Sequence, residues 1–469
     1  MNNKRRIYCL NGLSEETLAV CFAKCSRSGE TFDVIAKELS DEKSGKFHEK
    51  WVVGYGHSSV AEHAVVRLAM ENVSLLAVEW IQDNRLASYT EKSSRYQIYD
   101  KNRYVIPEDV KRDKRALKLY KNAADGLLGA YHEMIEPLNC QCLKQLSGQE
   151  YSEAKIKGMC MDQARFLLPA GMMANLGMTA NARVWEYAIS KWLSSGIDEV
   201  IDMAKEVKKE VEKSCPVLVK YAAENKYLKD IYFQQITNHK LQITKNKNKK
   251  PVRVVDWDRD ALDKIVASLI YKKSFGEYKK IERKLKAKSK KYKIDVLKKL
   301  LKNRTEHDRL PRDFEHIYIS FDVLCDQGAY YDFKRNRMMT QIRQDLGVEN
   351  GYMMPKMIKE IGMDKKYNEV IKKAEEAYFE IRKKYPISAQ YLVTKAHNRR
   401  FLMKMNLREL FYFVRLRARK AGNFAYRRIA MAILEEAKKK YPEIMKLFFE
   451  EKELDSRGSI EKEYFYKFV

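Results

Sequence analysis

The chain has 469 residues, of which 45% are hydrophobic, and a net charge of +27 from 91 Lys and Arg against 64 Asp and Glu. That length predicts two or three domains, and that apolar content allows a real core. No apolar run is long enough to span a bilayer, and eight cysteines without a secretion signal or a CxxC argue against a disulfide scaffold or a structural zinc site.

The N-terminal "MNNKRRIYCLNGLSEE" lacks the apolar run of a signal peptide, so a soluble, cytoplasmic protein is expected. The positive charge suits anionic partners: nucleic acid, a membrane surface or phosphorylated small molecules. The alternative is a solvated lysine-rich surface, because the lysines are dispersed along helices and interleaved with Glu. Cys9, Cys21 and Cys325 sit in apolar runs and read as small core residues.

In chain order, "RRIYCLNGLSEETLAVCFAKCSRSG" reads as a short strand, an acidic turn and a helix. "HSSVAEH" follows, with His57, Ser59, Glu62 and His63. Metal ligation is disfavoured there, since the spacing takes His57 and His63 off a common helical face. The alternative is a helix start with Ser58 or Ser59 as N-cap and Glu62 in the first turn. "NRLASYTEKSSRYQ" crowds Arg85, Ser88, Glu91, Ser93 and Arg95 into one short window. Guanidiniums with hydroxyls can form a phosphate cradle, or the same residues can be a surface salt-bridge network. "QARFLLPAGM" then carries Arg165, and "NARVWEYAISKW" starts a helix with Asn181 and Arg183.

After the polar joining stretch "NHKLQITKNKNKK" the order repeats. "VRVVDWDRDALDKIVASLIYKKSFG" parallels the N-terminal segment. "PRDFEHIYISFDVLCDQGAYYDFKRNR" parallels the Glu-His segment, with Ile317, Ile319, Phe321 and Val323 alternating as in a half-buried strand. "NLRELFYFVRLR" parallels "NARVWEYAISKW" and supplies Asn406, Arg408 and Arg417. Arg417 lies among Phe413, Val414 and Leu416, so it needs an anionic or acceptor partner. Two homologous α+β units are expected, at 1–228 and 251–469 with 229–250 as linker, packed face to face as a pseudo-dimer.

Common catalytic motifs are missing: no GxGxxG after a strand, no GxxxxGK[ST], no HExxH, no GxSxG. Cys215 in "KSCPVL" has no His nearby in sequence, which leaves a cysteine nucleophile without support.

At these residues the sequence resembles the flavin-dependent thymidylate synthases. Their signature, Arg-His-Arg followed at fixed spacing by Ser, Asn-Glu, Ser and Arg-Tyr, reads here "DNRLASYTEKSSRY". Arg85, Ser88, Glu91, Ser93, Arg95 and Tyr96 match in register. Asp83, Asn84 and Thr90 replace the first Arg, the His and the Asn. "HSSVAEH", "ARFLLP" and the two Asn-x-Arg segments match the family's other motifs, so the resemblance covers the chain twice over.

The resemblance implies an α+β unit that builds its sites between subunits, with FAD as cofactor. It implies methylation of deoxyuridylate (dUMP) with methylenetetrahydrofolate as carbon donor and NADPH as reductant. Ser93 and Arg95 would hold the nucleotide phosphate and sugar, Arg165 a second phosphate contact, and Arg417 the uracil ring. Arg417 and Glu91 would stand at the reacting pyrimidine. His57, Ser59, Glu62, Arg85, Ser88, Asn181, Arg183, Arg335, Asn336, Arg337, Asn406 and Arg408 would border the flavin. The second signature, "RNRMMTQIRQDLGVENGY", has Arg343, Asp345 and Gly347 where Glu, Ser and Arg belong. Trp192 stands where Arg417 does, and Gln390 where Arg165 does. A homodimer, as a pseudo-tetramer, is the implied assembly. Two other readings are an altered acceptor (another pyrimidine nucleotide or a nucleic-acid uridine) and an inactive homologue that binds nucleotide or nucleic acid.

Overall fold

The computed structural model describes residues 5–54, 56–148, 150–233, 250–305, 307–449 and 454–468. Helices and antiparallel sheets alternate along it. The strands are β1 (Val65–Ser74), β2 (Ala87–Glu91), β3 (Met173–Asn181), β4 (Val252–Trp257), β5 (Tyr318–Asp326), β6 (Thr340–Arg343), β7 (Met354–Pro355), β8 (Asn398–Asn406) and β9 (Phe465–Lys467).

Contacts divide the chain into two units. The first holds Met1–Ser93, Arg103–Lys114 and Gly171–Thr244; the second holds Ser94–Asn102, Arg115–Ala170 and Lys245–Val469. The first unit contains a sheet ordered β1-β3-β2. The second contains a sheet ordered β4-β5-β8-β6 and a small β7-β9 pair.

The internal repeat is written into the strand register. Val65 pairs with Asn181 in one sheet, and Tyr318 with Asn406 in the other. Ser88 pairs with Thr179, and Thr340 with Lys404. These are corresponding positions of the two repeats, and since a one-residue slip would turn every side chain to the wrong face, equal register means equal packing logic. The alternation read for the second strand holds, with Ile317, Ile319, Phe321 and Val323 all buried.

Helix ends repeat as well. Asn181 accepts a hydrogen bond from the Val184 amide at 3.0 Å, and Asn406 from the Glu409 amide at 2.8 Å. Each Asn therefore caps the helix that follows it, Ala182–Leu193 and Leu407–Arg417. Ser74 and Asp326 cap the short helices Leu75–Ile81 and Gln327–Phe333 in the same way.

Three local expectations are corrected. The N-terminal segment forms no strand over 5–11; Ile7 there is exposed, and only its counterpart β4 joins a ladder. Cys9 is exposed, whereas Cys21 and Cys325 are buried. Ser59 precedes a single 3-10 turn, Val60–Glu62, and makes no capping hydrogen bond. Residues 234–249 of the joining stretch lie outside the described residues, and 229–233 belong to the helix Lys226–Phe233.

Much of the first repeat's middle segment belongs to the second unit. The helix Lys114–Gln145 buries Tyr120, Leu127, Tyr131, Met134 and Leu138, one apolar stripe at three- and four-residue spacing. The helix Glu153–Ala164 then tightens into a 3-10 turn, Arg165–Leu167. The second repeat has the same pair of elements at Pro386–Ala389 and Gln390–Leu392. The loops after these turns pair with each other. The Ala170 amide donates to the Val393 carbonyl at 2.8 Å, and the Lys395 amide to the Leu168 carbonyl at 3.0 Å. These are equivalent residues in exchanged roles, with Pro169 opposite Thr394 at the centre.

Phe166 lies fully buried in this turn, 5.9 Å from the Phe424 ring, and its carbonyl accepts from Ala396. Phe166→Ala is expected to destabilise the protein by about 3–5 kcal/mol, as for other buried aromatic truncations. Urea unfolding measures this, and a loss below about 1 kcal/mol would show that the turn is not part of the cooperative core.

Candidate functional site

The second unit brings together three charged side chains from distant parts of the sequence. Arg165 comes from the 3-10 turn, Arg417 from the last residue of the helix Leu407–Arg417, and Asp332 from the helix Gln327–Phe333. One carboxylate oxygen of Asp332 lies 3.7 Å from Arg165 Nη2, and the other lies 3.5 Å from Arg417 Nη1. The side chains are 5%, 12% and 17% exposed for Arg165, Arg417 and Asp332. Arg165 Nε and Nη2 and Arg417 Nε are buried without a hydrogen-bond partner among the described residues. Two guanidiniums thus share one carboxylate, with net positive charge and three unused donors. A buried site so under-satisfied is costly on its own and suits a ligand that brings acceptors.

The helix that presents Asp332 is itself anchored electrostatically. Asp326, fully buried at its N-cap, accepts from the Ala329 amide at 2.8 Å. Burial pushes its carboxyl up to about 6, against the pull of Arg428 and Arg165. Burial lowers the pKa of Arg428 in turn, while Asp326 and Glu461 oppose that shift.

The signature stretch is divided between the units after Ser93. Within the second unit Arg95 makes a bidentate pair with Asp162, at 2.8 Å from both Nε and Nη2. Burial works against its charge, but Asp162 outweighs that and holds the guanidinium above its ordinary pKa. Ser94, buried, accepts a hydrogen bond from Lys395 Nζ at 2.9 Å. In the first unit Glu91 accepts from Gln82 at 2.8 Å, Ser93 is half-buried, and Arg85 and Ser88 are exposed.

Asn84 and Asn336, at the position of the family's His, share a structural task. Each is buried and gives its amide to a backbone carbonyl at the end of the preceding helix, Ile81 at 2.8 Å and Phe333 at 3.1 Å.

Five of the twelve residues expected to border a flavin line two recesses. In the first unit His57 and Ser59 line a recess of about 270 Å³ with His63, Phe22, Trp51 and Arg27, whose guanidinium lies 4.2 Å from the Trp51 ring. Glu62 makes an exposed ion pair with Arg183, 121 positions on. In the second unit Arg337, Asn406 and Arg408 line a larger cavity of about 570 Å³. Arg309, Arg415 and Arg419, which sequence reasoning missed, line it too. Arg408 pairs with Glu315 and donates to the Leu310 carbonyl at 2.7 Å. Arg335 is exposed. Beside this cavity the Arg304 guanidinium stacks over Phe411 at 4.4 Å, with Nε and Nη2 buried and unbonded among the described residues. Burial and Arg415 both lower its pKa. With five arginines against Asp308, Glu315 and Glu409 in its lining, this cavity suits an anionic group such as the pyrophosphate of a dinucleotide cofactor.

A family model described as "Thymidylate synthase complementing protein" matches the chain twice, over residues 11–217 and 253–443. The chain is a member of the flavin-dependent thymidylate synthase family. It is 28% identical over 483 residues to a Chlamydia muridarum protein named "UPF0159 protein", covering 93% of this chain and 90% of that one. A Thermoplasma acidophilum protein of the same designation is 25% identical over 451 residues, covering 87% and 89%. A Clostridium tetani "Flavin-dependent thymidylate synthase" is 28% identical over 208 residues, covering 44% of this chain and 82% of its own length. A family member of single length thus matches less than half of this double chain.

Two key carboxylates, Asp162 and Asp332, escaped the sequence reading. Asp162 lies three residues before Arg165 and Asp332 three before Arg335, but only tertiary structure gives each its Arg. Glu409 escaped it too. It follows Arg408, is buried, and lines the larger cavity. Burial pushes its carboxyl up to about 7 against the pull of Arg408. From about pH 4.5 to 7 the folded chain therefore keeps a proton that the unfolded chain has lost. The resulting stabilisation is full below about pH 4.5 and lost as pH rises through 7. Glu409→Gln is expected to remove this slope and to gain on the order of 3 kcal/mol over the native chain at pH 8 relative to pH 4.5. Urea unfolding of the ligand-free protein at the two pH values measures it. Parallel pH slopes for the two proteins would place the titration elsewhere.

Proposed function

We propose that this chain is a flavin-dependent methyltransferase that converts dUMP to dTMP, with methylenetetrahydrofolate as carbon donor and NADPH as reductant. The observation that carries this reading is the buried Arg165–Asp332–Arg417 cluster, whose three unused guanidinium donors await acceptors. Family membership supplies the substrate class, and the single-length relatives named flavin-dependent thymidylate synthases supply the activity.

In this reading Arg165 and Arg417 bind and orient the nucleotide. Arg95, held by its bidentate pair with Asp162, serves its phosphate, and Ser93 and Glu91 are the further nucleotide-side candidates that the family resemblance names. FAD would be held by Arg337, Asn406 and Arg408 with Arg309, Arg415 and Arg419, and when bound it would supply the redox chemistry of one-carbon transfer. His57, Ser59, Glu62, Arg85, Ser88, Asn181, Arg183, Arg335 and Asn336 remain flavin-side candidates.

The reciprocal pairing of the Leu168–Ala170 and Val393–Lys395 loops supports a pseudo-dimer of the two repeats, because two-fold contacts exchange equivalent residues in this manner. A homodimer in solution would then complete a pseudo-tetramer. A stable, active monomer in light scattering would contradict that assembly.

Two measurements test the activity. The purified protein should bind FAD, seen as yellow absorbance, and dUMP should stimulate its NADPH oxidation. A protein that takes up no FAD would sink the enzyme reading and leave a nucleotide-binding homologue. That second reading draws on Asn84 and Asn336, both spent on helix ends where the family has a His that can carry charge. With FAD bound, oxidation indifferent to dUMP would point to another uridine acceptor.

Arg417→Ala should weaken dUMP binding by about 30-fold or more with FAD retained, in line with truncation of a buried charge contact. Arg95→Ala should lower affinity and also destabilise the fold by about 2–3 kcal/mol, because it leaves the carboxylate of Asp162 buried and alone. Unchanged nucleotide affinity in both variants would remove these residues from the site.

A further inference from the structure

Each repeat follows its first helix with two short ones. In the first they are Phe32–Glu38 and Asp41–Phe47, and in the second Tyr278–Lys286 and Lys290–Leu301. The scaffold is shared and the charge is not. Residues 32–47 hold three lysines against four acidic residues, whereas 278–301 hold eleven Lys and Arg against Glu282 and Asp295. At the chain's average of 91 Lys and Arg in 469 residues, a stretch of the latter length would hold about five. The excess is local, so a uniformly lysine-rich surface does not account for it.

The second pair of helices turns one side inward, onto the helix Ala261–Tyr271. Leu285 and Leu297 are buried there, with Glu282 and Lys293. Lys279, Lys280, Lys290 and Lys293 are matched by Glu282, Glu277, Glu443 and Asp263. The other seven cations are exposed and make no ion pair among the described residues. Lys291 and Lys298 lie two turns apart on one stripe, which Lys302 continues at the C-cap and in which Asp295 is the one acid. Two rings stand among these charges. Phe275, in the loop that leads into the pair, is fully exposed, and Tyr292 is exposed with Lys288 Nζ 5.8 Å from its ring centre.

We propose that this basic helix pair is a docking surface for single-stranded nucleic acid, whose phosphates the lysines neutralise and whose bases stack on Phe275 and Tyr292. A bilayer is the poorer match. A membrane-surface helix inserts an apolar stripe beside its cations, and here that stripe is spent on the core. Leu300 is the one large aliphatic side chain exposed on the two helices. A duplex would take the phosphate contacts and leave both rings idle. The inference is independent of the nucleotide-site reading, since no flavin-side or nucleotide-side candidate lies in this segment.

The test is fluorescence anisotropy on the full chain over a salt series, with labelled mixed-sequence oligonucleotides, single-stranded and duplex. The native protein should bind the single strand about 5-fold or more tighter than the duplex, and less tightly as salt rises. Lys291→Gln, Lys298→Gln and Lys299→Gln combined should weaken single-strand binding about 10-fold or more and reduce the salt slope by about 2. The same change at Lys37, Lys43 and Lys46 of the first repeat should leave affinity within about 2-fold of native. Phe275→Ala should weaken binding about 5-fold or more with the slope unchanged. The second-repeat positions changed are exposed, so urea midpoints should match the native one. Native protein that binds no oligonucleotide would overturn the inference. So would unaltered affinity in the second-repeat lysine variant, or an equal loss in the first-repeat one. A preference for duplex, or a Phe275→Ala variant that binds as the native does, would overturn the single-strand assignment. Lysine-dependent binding to phosphatidylserine vesicles without oligonucleotide binding would give the surface to a membrane instead. Failure of FAD uptake or of dUMP-stimulated NADPH oxidation would overturn the functional reading above and leave this inference standing.

Discussion

The site depends on one short backbone interaction, the mutual pairing of the loops that follow the two 3-10 turns. Leu168, Pro169 and Ala170 are buried, as are Val393, Thr394 and Lys395, so their peptide groups have no water to turn to. Each hydrogen bond is worth about 1 kcal/mol net, but an unpaired buried amide or carbonyl would cost about 1–3 kcal/mol, and that asymmetry locks the loops together. Two of the three charged side chains of the candidate site, Arg165 and Asp332, are placed through them. Arg165 begins the first turn. The Lys395 carbonyl accepts from the Gly328 amide, which fixes the start of the helix that carries Asp332. A Cβ on Gly328 would approach Phe166 to 3.0 Å and Asp326 to 3.1 Å, so a larger residue there would press on both neighbours.

Around this frame the two repeats have become unequal in a consistent direction. Gln390, at the counterpart of Arg165, spends its side-chain oxygen on the Leu346 amide at 3.1 Å. Trp192, at the counterpart of Arg417, is fully buried against the edge of Trp185. The cavity of about 570 Å³ in the second unit is rich in arginine, and the recess of about 270 Å³ at the corresponding segment of the first is lined by Phe22, Trp51 and two histidines. Positions that carry charge in one repeat have been turned to packing or capping in the other. Such exchange is open to a duplicated chain because each copy can improve its stability where the other keeps the ligand contact, and contacts kept for ligands are those that weaken a fold.

How much of this was readable from sequence follows from how local each determinant is. Helix caps and strand register are local: Asn-x-Arg announced both capped helices, and the alternation at 317–323 announced a strand. Repeat comparison went further, since it ranked Arg165 and Arg417 above their replaced counterparts. Asp332 and Asp162 were not legible, because a carboxylate's partner is set by tertiary approach, 167 positions away for one contact of Asp332 and 67 for Asp162. Asn84 and Asn336 read as a lost histidine, but the structure supplies the gain. Each side chain ends a short helix that a ring could not finish with the same amide geometry. The N-terminal segment misled for the opposite reason. Its pattern resembles β4, yet a strand needs a ladder partner as well as a pattern.

The charges in the second unit divide into those that are finished and those that are not. Arg95 and Asp162 satisfy each other, so that guanidinium is a fixed feature with one direction. Arg165 and Arg417 share Asp332 at a distance and keep donors free. Taking both guanidiniums out of water with half the counter-charge costs several kcal/mol, which well-packed apolar residues at the same places would not. The first repeat demonstrates that alternative with Trp80 and Trp192. The second repeat keeps the costlier charged cluster where the first has aromatic packing, the imbalance expected of residues retained for a ligand at the expense of stability.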